Sequence, residues 1–312
     1  MTTTAFLFPG QGAQHVGMAA ELCQGCAVAR DRFDQASAVC GLDLKKLCFE
    51  GPAEQLARTD VSQPAIFTVS MALLDAMKAT LGVRLPQPAF YAGLSLGEYS
   101  ALCAAGVFDF ETGVDLVSRR GRYMQQAAEA TDGAMLALMG ADEAAARALC
   151  EKASSAGVIA PANFNCPGQI VLSGQAAAID LAVELSAAGG GRGSKKLEVA
   201  GAFHSPLMAS AAEKLAETLA AVEFHAPSAP VLSNVTGRPH EGPESIKQAL
   251  LAQLTGSVLW QANCEFLLAA GMTNFYEIGP GKVLAGLMRR ISREAAVVSV
   301  NSAEAVDTLA GV

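Results

Sequence analysis

Apolar positions fall along this 312-residue chain in two alternating spacings. Short apolar runs closed by glycine, proline or small polar residues predict buried strands. Between them lie longer stretches in which apolar positions return every third or fourth residue, the spacing of an amphipathic helix. Residues 4–8, Thr-Ala-Phe-Leu-Phe, make the first strand-like run and end at Pro9-Gly10. Helical spacing follows over 27–40 and 62–81, with Ser62 a candidate cap and Pro64 in the first turn. A strand is predicted near 88–92, then a helix to about Ala105. Asp109 is placed to cap a further helix that reaches about Ala130.

At Gly133 the texture changes. Strands are predicted over 134–139, 158–163, 169–173 and 195–199, with helices over 142–155 and 176–188 and a turn at 189–193. That order, β-α-β-β-α-β, is the ferredoxin-like split unit. Taken as residues 131–199, it is sized to be an insertion between the halves 1–130 and 200–312 of a larger domain. Beyond it, Ser205-Pro206 opens a helix to about Val222, with Ser as N-cap and Pro at the first helical position. A strand at 231–235 follows, then helices near 245–254 and 258–270 and a strand at 274–278. Gly279-Pro280-Gly281 leads a helix through Arg290, and 296–300 is a last strand. Strands alternating with helices on both sides of the insertion predict an α/β fold with a mostly parallel sheet covered on both faces.

Composition adds limits to this picture. Hydrophobic residues make up 51% and charged residues 17%, enough for a sizeable core and too apolar for general disorder. A net charge of −8 argues against nucleic acid or an anionic membrane as main partner. It leaves room for an acidic partner on a local basic patch. No uninterrupted apolar run approaches a membrane span, and the first residues lack the basic region of a secretory signal, so a cytoplasmic location is expected. Of the eight cysteines, Cys23 and Cys26 have redox or half-metal-site spacing. No second pair or nearby histidine completes a site, so free thiols and no metal are expected.

The chemistry gathers at Gly93-Leu94-Ser95-Leu96-Gly97, where a strand-like run meets a helical one. Gly-x-Ser-x-Gly in that setting is the nucleophile-elbow pattern. Positions two before and two after the serine face crowded backbone, where a Cβ would clash. The same residues also suit a helix-capping serine between turn glycines. Gly10-Gln11-Gly12-Ala13-Gln14 reads as a strand-end loop, where α/β folds put ligands. It lacks Gly-x-Gly-x-x-Gly, so its N–H groups are free for some other anion, such as an oxyanion.

A serine nucleophile needs a base. Among four histidines, His225 and His240 sit in turn-like polar surroundings and His15 follows the first loop. His204, behind Gly201-Ala202-Phe203 and before a helix cap, stands where a side chain enters a cleft. No Asp or Glu between Ser95 and His204 is an evident third member, and Glu198 is too near His204 in sequence to judge. A backbone carbonyl can do the same orienting work. Arg119 and Arg120 form a pair of the kind that ordinarily faces solvent. An arginine turned inward would offer a planar fork matching a carboxylate.

Taken together, residues 8–14, 93–102, Arg119-Arg120-Gly121, Pro161-Ala162-Asn163-Phe164-Asn165, Gly201-Ala202-Phe203-His204-Ser205 and Gly279-Pro280-Gly281-Lys282-Val283-Leu284 resemble the malonyl-CoA:acyl carrier protein transacylase family. The resemblance spans nearly the whole chain in order. It implies an α/β-hydrolase-like core with a ferredoxin-like insertion. It also implies a ping-pong transfer through a malonyl-Ser95 intermediate, with His204 as base and Arg120 on the malonyl carboxylate. The backbone N–H groups of Gln11 and Leu96 match the family's oxyanion hole, and Gln253 matches the residue whose main-chain carbonyl orients the histidine. Phe203 is similar to the malonyl-type pattern of related polyketide acyltransferases, and Asn163 is a pocket residue. Where the family commonly has histidine before the nucleophile, this chain has Leu94, which bears on acyl selectivity.

The implied partners are malonyl-CoA and an acyl carrier protein, with no cofactor beyond the carrier's own phosphopantetheine and a monomer as the expected state. Carrier proteins of this kind are acidic, so Arg192, Lys195, Lys196, Lys282, Arg289 and Arg290 are candidates for a docking patch. A polyketide-pathway acyltransferase, a serine thioesterase or esterase on the same elbow, and a non-catalytic carrier-binding subunit are the alternatives.

Overall fold

Residues Thr4–Phe8 form a strand, β1, buried at every position. Successive side chains of a strand point to opposite faces. Accordingly Phe6 and Phe8 pack into one apolar cluster, while Ala5 and Leu7 pack into a second. Burial on both faces is what a central strand of a covered parallel sheet requires. The computed structural model describes residues 3–188 and 193–311. Residues 189–192 of the predicted turn at 189–193, Arg192 among them, lie outside the described residues.

After β1 come α1 (Ala20–Gly25), α2 (Ala27–Cys40), α3 (Leu44–Phe49), α4 (Ala53–Ala57), α5 (Thr59–Leu81), β2 (Pro88–Gly93), α6 (Leu96–Ala104) and α7 (Phe110–Glu129). A second group follows: β3 (Gly133–Met139), α8 (Glu143–Ala153), β4 (Ile159–Cys166), β5 (Gln169–Gln175), α9 (Ala176–Ala188) and β6 (Ser194–Lys196). The chain then adds α10 (Ala209–Ala220), α11 (Pro243–Thr255), α12 (Trp260–Ala269), β7 (Asn274–Ile278), α13 (Val283–Ile291), β8 (Val297–Val300) and α14 (Ala303–Ala310).

One sheet has the order β2-β1-β7-β8 and is parallel throughout. The other has the order β4-β5-β3-β6 and is antiparallel throughout. That second order, with helices between the first and second and between the third and fourth strands, is the ferredoxin-like arrangement. The α/β class with a parallel sheet and a separate antiparallel unit thus holds.

Several boundaries differ from expectation for physical reasons. Helix α5 starts at Thr59 with Arg58 as N-cap, and Ser62, predicted as the cap, is buried inside it. The carboxamide oxygen of Gln125 on α7 accepts the Thr59 N–H at 3.1 Å, so a tertiary partner satisfies the first turn. This helix is also long and apolar enough to cross a membrane by length and composition, with mean hydropathy 1.5. Here it packs against α2 and α7 in the core.

Residues 231–235 make no strand. Leu232 N–H donates to the Tyr91 carbonyl and Tyr91 N–H to that of Pro230, both at 2.9 Å. The chain then turns back, with a bridge between Leu232 and Pro239. Strand β6 stops at Lys196, short of the predicted 199; Leu197 N–H still donates to the Met135 carbonyl at 3.0 Å, and residues 197–199 line a cavity. Pro206–Met208 forms a single 3-10 turn before α10, with Ser205 Oγ accepting the Leu207 N–H at 3.3 Å. Helices α1, α3, α4 and α14 go unpredicted because they are too short for periodicity to show.

Between β2 and α6 the backbone is tightly crowded. A Cβ on Gly93 would sit 1.9 Å from the Gly97 carbonyl, and one on Gly97 would sit 2.0 Å from the Phe8 carbonyl oxygen. Both positions therefore require glycine. This turn sits beside the end of β1, at the carboxyl ends of the parallel strands, where a cleft opens.

Candidate active site

Ser95 occupies the junction of β2 and α6 with φ 51° and ψ −103°, and His204 has φ 56°. Side-chain-bearing residues rarely hold such conformations, and they cluster at functional sites. Ser95 Oγ lies 2.8 Å from His204 Nε2, and His204 Nδ1 lies 2.7 Å from the main-chain carbonyl oxygen of Gln253. A carbonyl only accepts, so Nδ1 carries the proton and Nε2 turns its lone pair to the serine hydroxyl. His204 is buried, and burial together with the nearby Arg120 charge lowers its pKa to about 4, against a smaller upward pull from the Gln253 bond. The imidazole is neutral at neutral pH and free to accept a proton.

Arg120 projects from α7 and is fully buried, whereas Arg119 is exposed and pairs with Asp115 at 2.8 Å. The Arg120 fork donates from Nη1 to Gln63 Oε1 at 2.7 Å. Its Nη2 donates to Gln253 Oε1 at 2.8 Å and to Ser95 Oγ at 3.1 Å. The guanidinium also lies 5.3 Å from the centre of the Tyr99 ring. Each hydrogen-bond acceptor is neutral, and among the described residues Arg120 makes no ion pair and its Nε has no partner. Burial pulls its pKa down. The Glu98 carboxylate acts on Arg120 only at a distance, and a buried cation with no carboxylate in contact is costly, so this arrangement is suited to receive an anion.

The cavity beside Ser95 and His204 has a volume of about 330 Å³. Gln11, Leu94 and Phe203 line it together with Met135, Asn163 and Val171 from the antiparallel sheet. Leu94 and Phe203 give it apolar walls and Asn163 a polar one. Among the described residues, the main-chain N–H groups of Gln11 and Leu96 donate to no protein acceptor. Leu96 is the first residue of α6, where a helix leaves its N–H groups unpaired. Glu198 lies at the exposed rim of the cavity and makes no bond to His204 among the described residues.

Behind the elbow lies a polar network with no local signature in the sequence. Glu98, fully buried on α6, meets His240 Nε2 through Oε1 at 2.8 Å. Its Oε2 accepts from Gln253 Nε2 at 2.7 Å and from the Asn234 N–H at 3.1 Å. His240 is thus a buried partner of a carboxylate, not a residue of an open polar turn. His15 and His225 are exposed, and Ser95 Oγ bonds to His204 and Arg120 and to neither of them. Gln63 and Glu98 are polar residues within apolar helical stretches, a pattern that marks buried polar work without telling its partner. Asn234 and His240 carry no signal at all.

The eight cysteines are free, and none of the described residues forms a cluster able to hold a metal. Burial raises the Cys23 thiol to about 11, which keeps it unreactive.

Residues 5–310 match the family described as acyl transferase domain. The chain is 43% identical over 291 residues to the malonyl CoA-acyl carrier protein transacylase of Escherichia coli strain K12, covering 93% of each. It is 42% identical over 308 residues to that of Bacillus subtilis strain 168, covering 98% of this chain and 96% of the relative. Among solved structures, the malonyl-CoA:acyl carrier protein transacylase of Xanthomonas oryzae has a TM-score of 0.95 at 43% identity, covering 100% of this chain and 99% of that one. A malonyl-transacylase solved in complex with a type II polyketide synthase acyl-carrier protein also has a TM-score of 0.95, at 37% identity over 99% of both chains.

Proposed function

The chain belongs to the acyl transferase family, and on that premise we propose that it transfers a malonyl group from malonyl-CoA to the phosphopantetheine thiol of an acyl carrier protein, supplying malonyl units for fatty-acid synthesis. The observation that carries this reading is Arg120, a fully buried guanidinium whose hydrogen-bond partners are all neutral and whose Nη2 lies 3.1 Å from Ser95 Oγ. A bidentate fork beside a nucleophile selects an acyl group that ends in a free carboxylate.

Ser95 Oγ attacks the thioester carbonyl as its proton passes to His204 Nε2. The oxyanion that forms is placed to accept the N–H groups of Leu96 and Gln11. Collapse breaks the C–S bond, CoA departs as a thiolate, and the proton held by His204 then passes to it. The carrier thiol then gives its proton to the same Nε2 and attacks malonyl-Ser95, and collapse breaks the acyl C–O bond as His204 returns the proton to Ser95 Oγ. Gln253 supports both halves, its main-chain carbonyl fixing the His204 tautomer and its side chain holding Arg120. Leu94, Phe203 and Asn163 shape the space for the acyl group. The reaction needs no cofactor of the enzyme's own, since CoA and phosphopantetheine arrive with the substrates. We place it in the cytosol, as a monomer.

Incubation with malonyl-CoA and no carrier is expected to add one malonyl mass to the peptide containing Ser95. Absence of that adduct on the wild-type protein would overturn the reading.

For the carrier, exposed Lys195 and Lys196 on β6 and Lys282, Arg289 and Arg290 on and beside α13 offer a basic surface on a chain of net charge −8. Arg289 and Arg290, on the helix whose Val283 and Leu287 line the cavity, surround a hollow with Arg293 and Pro167. Lys196 already pairs with Asp180, so the α13 arginines are the stronger element. Charge reversal at Arg289 and Arg290 is expected to raise KM for the carrier by about tenfold, leaving malonyl-Ser95 formation unchanged. An unchanged KM across salt concentrations would remove the patch from the proposal.

A further inference from the structure

The backbone of Ser95, at φ 51° and ψ −103°, holds a strained conformation that residues with a side chain rarely adopt. Such a conformation persists where its surroundings over-determine it. Here the surroundings come from far along the chain. Asn234, fully buried, reaches both sides of the elbow. Its Oδ1 accepts the Ser95 N–H at 2.6 Å, and its Nδ2 donates to the Gly93 carbonyl at 2.7 Å. A carboxamide sets an acceptor and a donor side by side, as this pair of backbone groups requires.

Asn234 is itself fixed. Its N–H donates to Glu98 Oε2 at 3.1 Å, and its carbonyl accepts the Leu259 N–H at 2.7 Å. The Glu98 carboxylate is held in turn by His240 and Gln253. All four polar groups of Asn234 are therefore engaged, two on the elbow and two on the frame behind it.

We propose that Asn234 is a positioning residue that holds Ser95 in the left-handed backbone conformation from which Oγ meets His204 Nε2. It touches no substrate; its direct hold on the nucleophile is through the Ser95 and Gly93 backbone, with Oδ1 also accepting from Gln253 Nε2 at 3.5 Å. Without it the Ser95 N–H and the Gly93 carbonyl lose their partners in a buried place, and the serine relaxes toward a negative φ that swings Oγ off the imidazole. The inference rests on the reading of Ser95 as the nucleophile.

The test is rapid-quench acylation without carrier, using malonyl-CoA and p-nitrophenyl acetate on wild-type and Asn234→Ala protein. Burst amplitude and acylation rate constant are read separately. The amplitude is expected to stay close to that of wild type while the rate constant falls by about 10- to 100-fold, the usual cost of misplacing a reacting atom. The fall is expected to be the same for both acyl donors, with the dependence on malonyl-CoA concentration unchanged. A purely structural role would lower the amplitude and leave the rate constant of the surviving molecules intact. That result, or an unchanged rate constant, overturns the proposal.

Asn234→Asp keeps an acceptor for the Ser95 N–H and loses the donor to Gly93. It should fall between wild type and Asn234→Ala, and it carries the same comparison if the alanine variant does not fold. No burst from the wild type would overturn the reading of Ser95 itself. A wild-type burst with unchanged rate constants in both variants overturns the role of Asn234 alone.

Discussion

In the Arg120→Ala protein, formation of malonyl-Ser95 is expected to fall by about 30- to several-thousand-fold, with a far smaller fall for acetyl-Ser95. Truncating one partner of a buried carboxylate–guanidinium pair costs on the order of 2–5 kcal/mol, and each 1.4 kcal/mol is about tenfold. The ratio between the two acyl groups is the useful readout. Arg120 also donates to Ser95 Oγ at 3.1 Å, and losing that bond affects both thioesters alike. The Gln63 and Gln253 oxygens it leaves behind are likewise common to both. What remains in the ratio is the carboxylate contact. Equal losses for the two donors would show that Arg120 serves the serine and not the substrate. Arg120→Lys is expected to recover little, because a point charge cannot span Gln63, Gln253 and a carboxylate as a planar fork does.

His204→Ala is expected to slow acylation of Ser95 by about a thousandfold, within the range general-base catalysis contributes. Its burial and the Arg120 charge lower its pKa to about 4, so the neutral, proton-accepting form prevails above that value. Acylation by an uncharged ester should therefore be flat from neutral pH down to about pH 5 and lose half its rate near pH 4. Arg120→Ala removes one of the two lowering causes, so the midpoint should move up in that variant. A wild-type midpoint at 6 or above, close to the ordinary histidine value of about 6.5, would show that the ring is not held neutral by this environment.

What could be read from the sequence follows from how local each constraint is. The elbow was legible because crowded backbone on both sides admits glycine alone at positions 93 and 97, and such demands leave a fixed spacing. The antiparallel unit was legible because four strand-like runs and two helical ones stand in one order. His204 was marked by the small residues before it. The start of α5 was misplaced because Gln125, on another helix, satisfies its first N–H. The apolar stretch at 231–235 looked like a strand, yet the chain there turns away to bring Asn234 to the elbow. Glu98 meets Asn234 and His240 across 136 and 142 residues of chain, and no local pattern announces pairs so far apart. Gln253 entered through family resemblance, because a main-chain carbonyl leaves no mark on residue identity.

That carbonyl also bears on leaving groups. A carboxylate behind the histidine would stabilise the imidazolium that forms in each half-reaction, but Gln253 offers only a dipole, and Arg120 stands on the unfavourable side of the balance. The protonated ring is therefore a brief, high-energy state. In the first half of the proposed transfer a thiol, with an ordinary pKa of about 8.5, departs readily as an anion and asks little of it. An amine must be protonated before it can leave, and it would wait on the very species this site disfavours. On the proposed mechanism, a preference for thioesters over amides follows from the uncharged atom at the back of the ring.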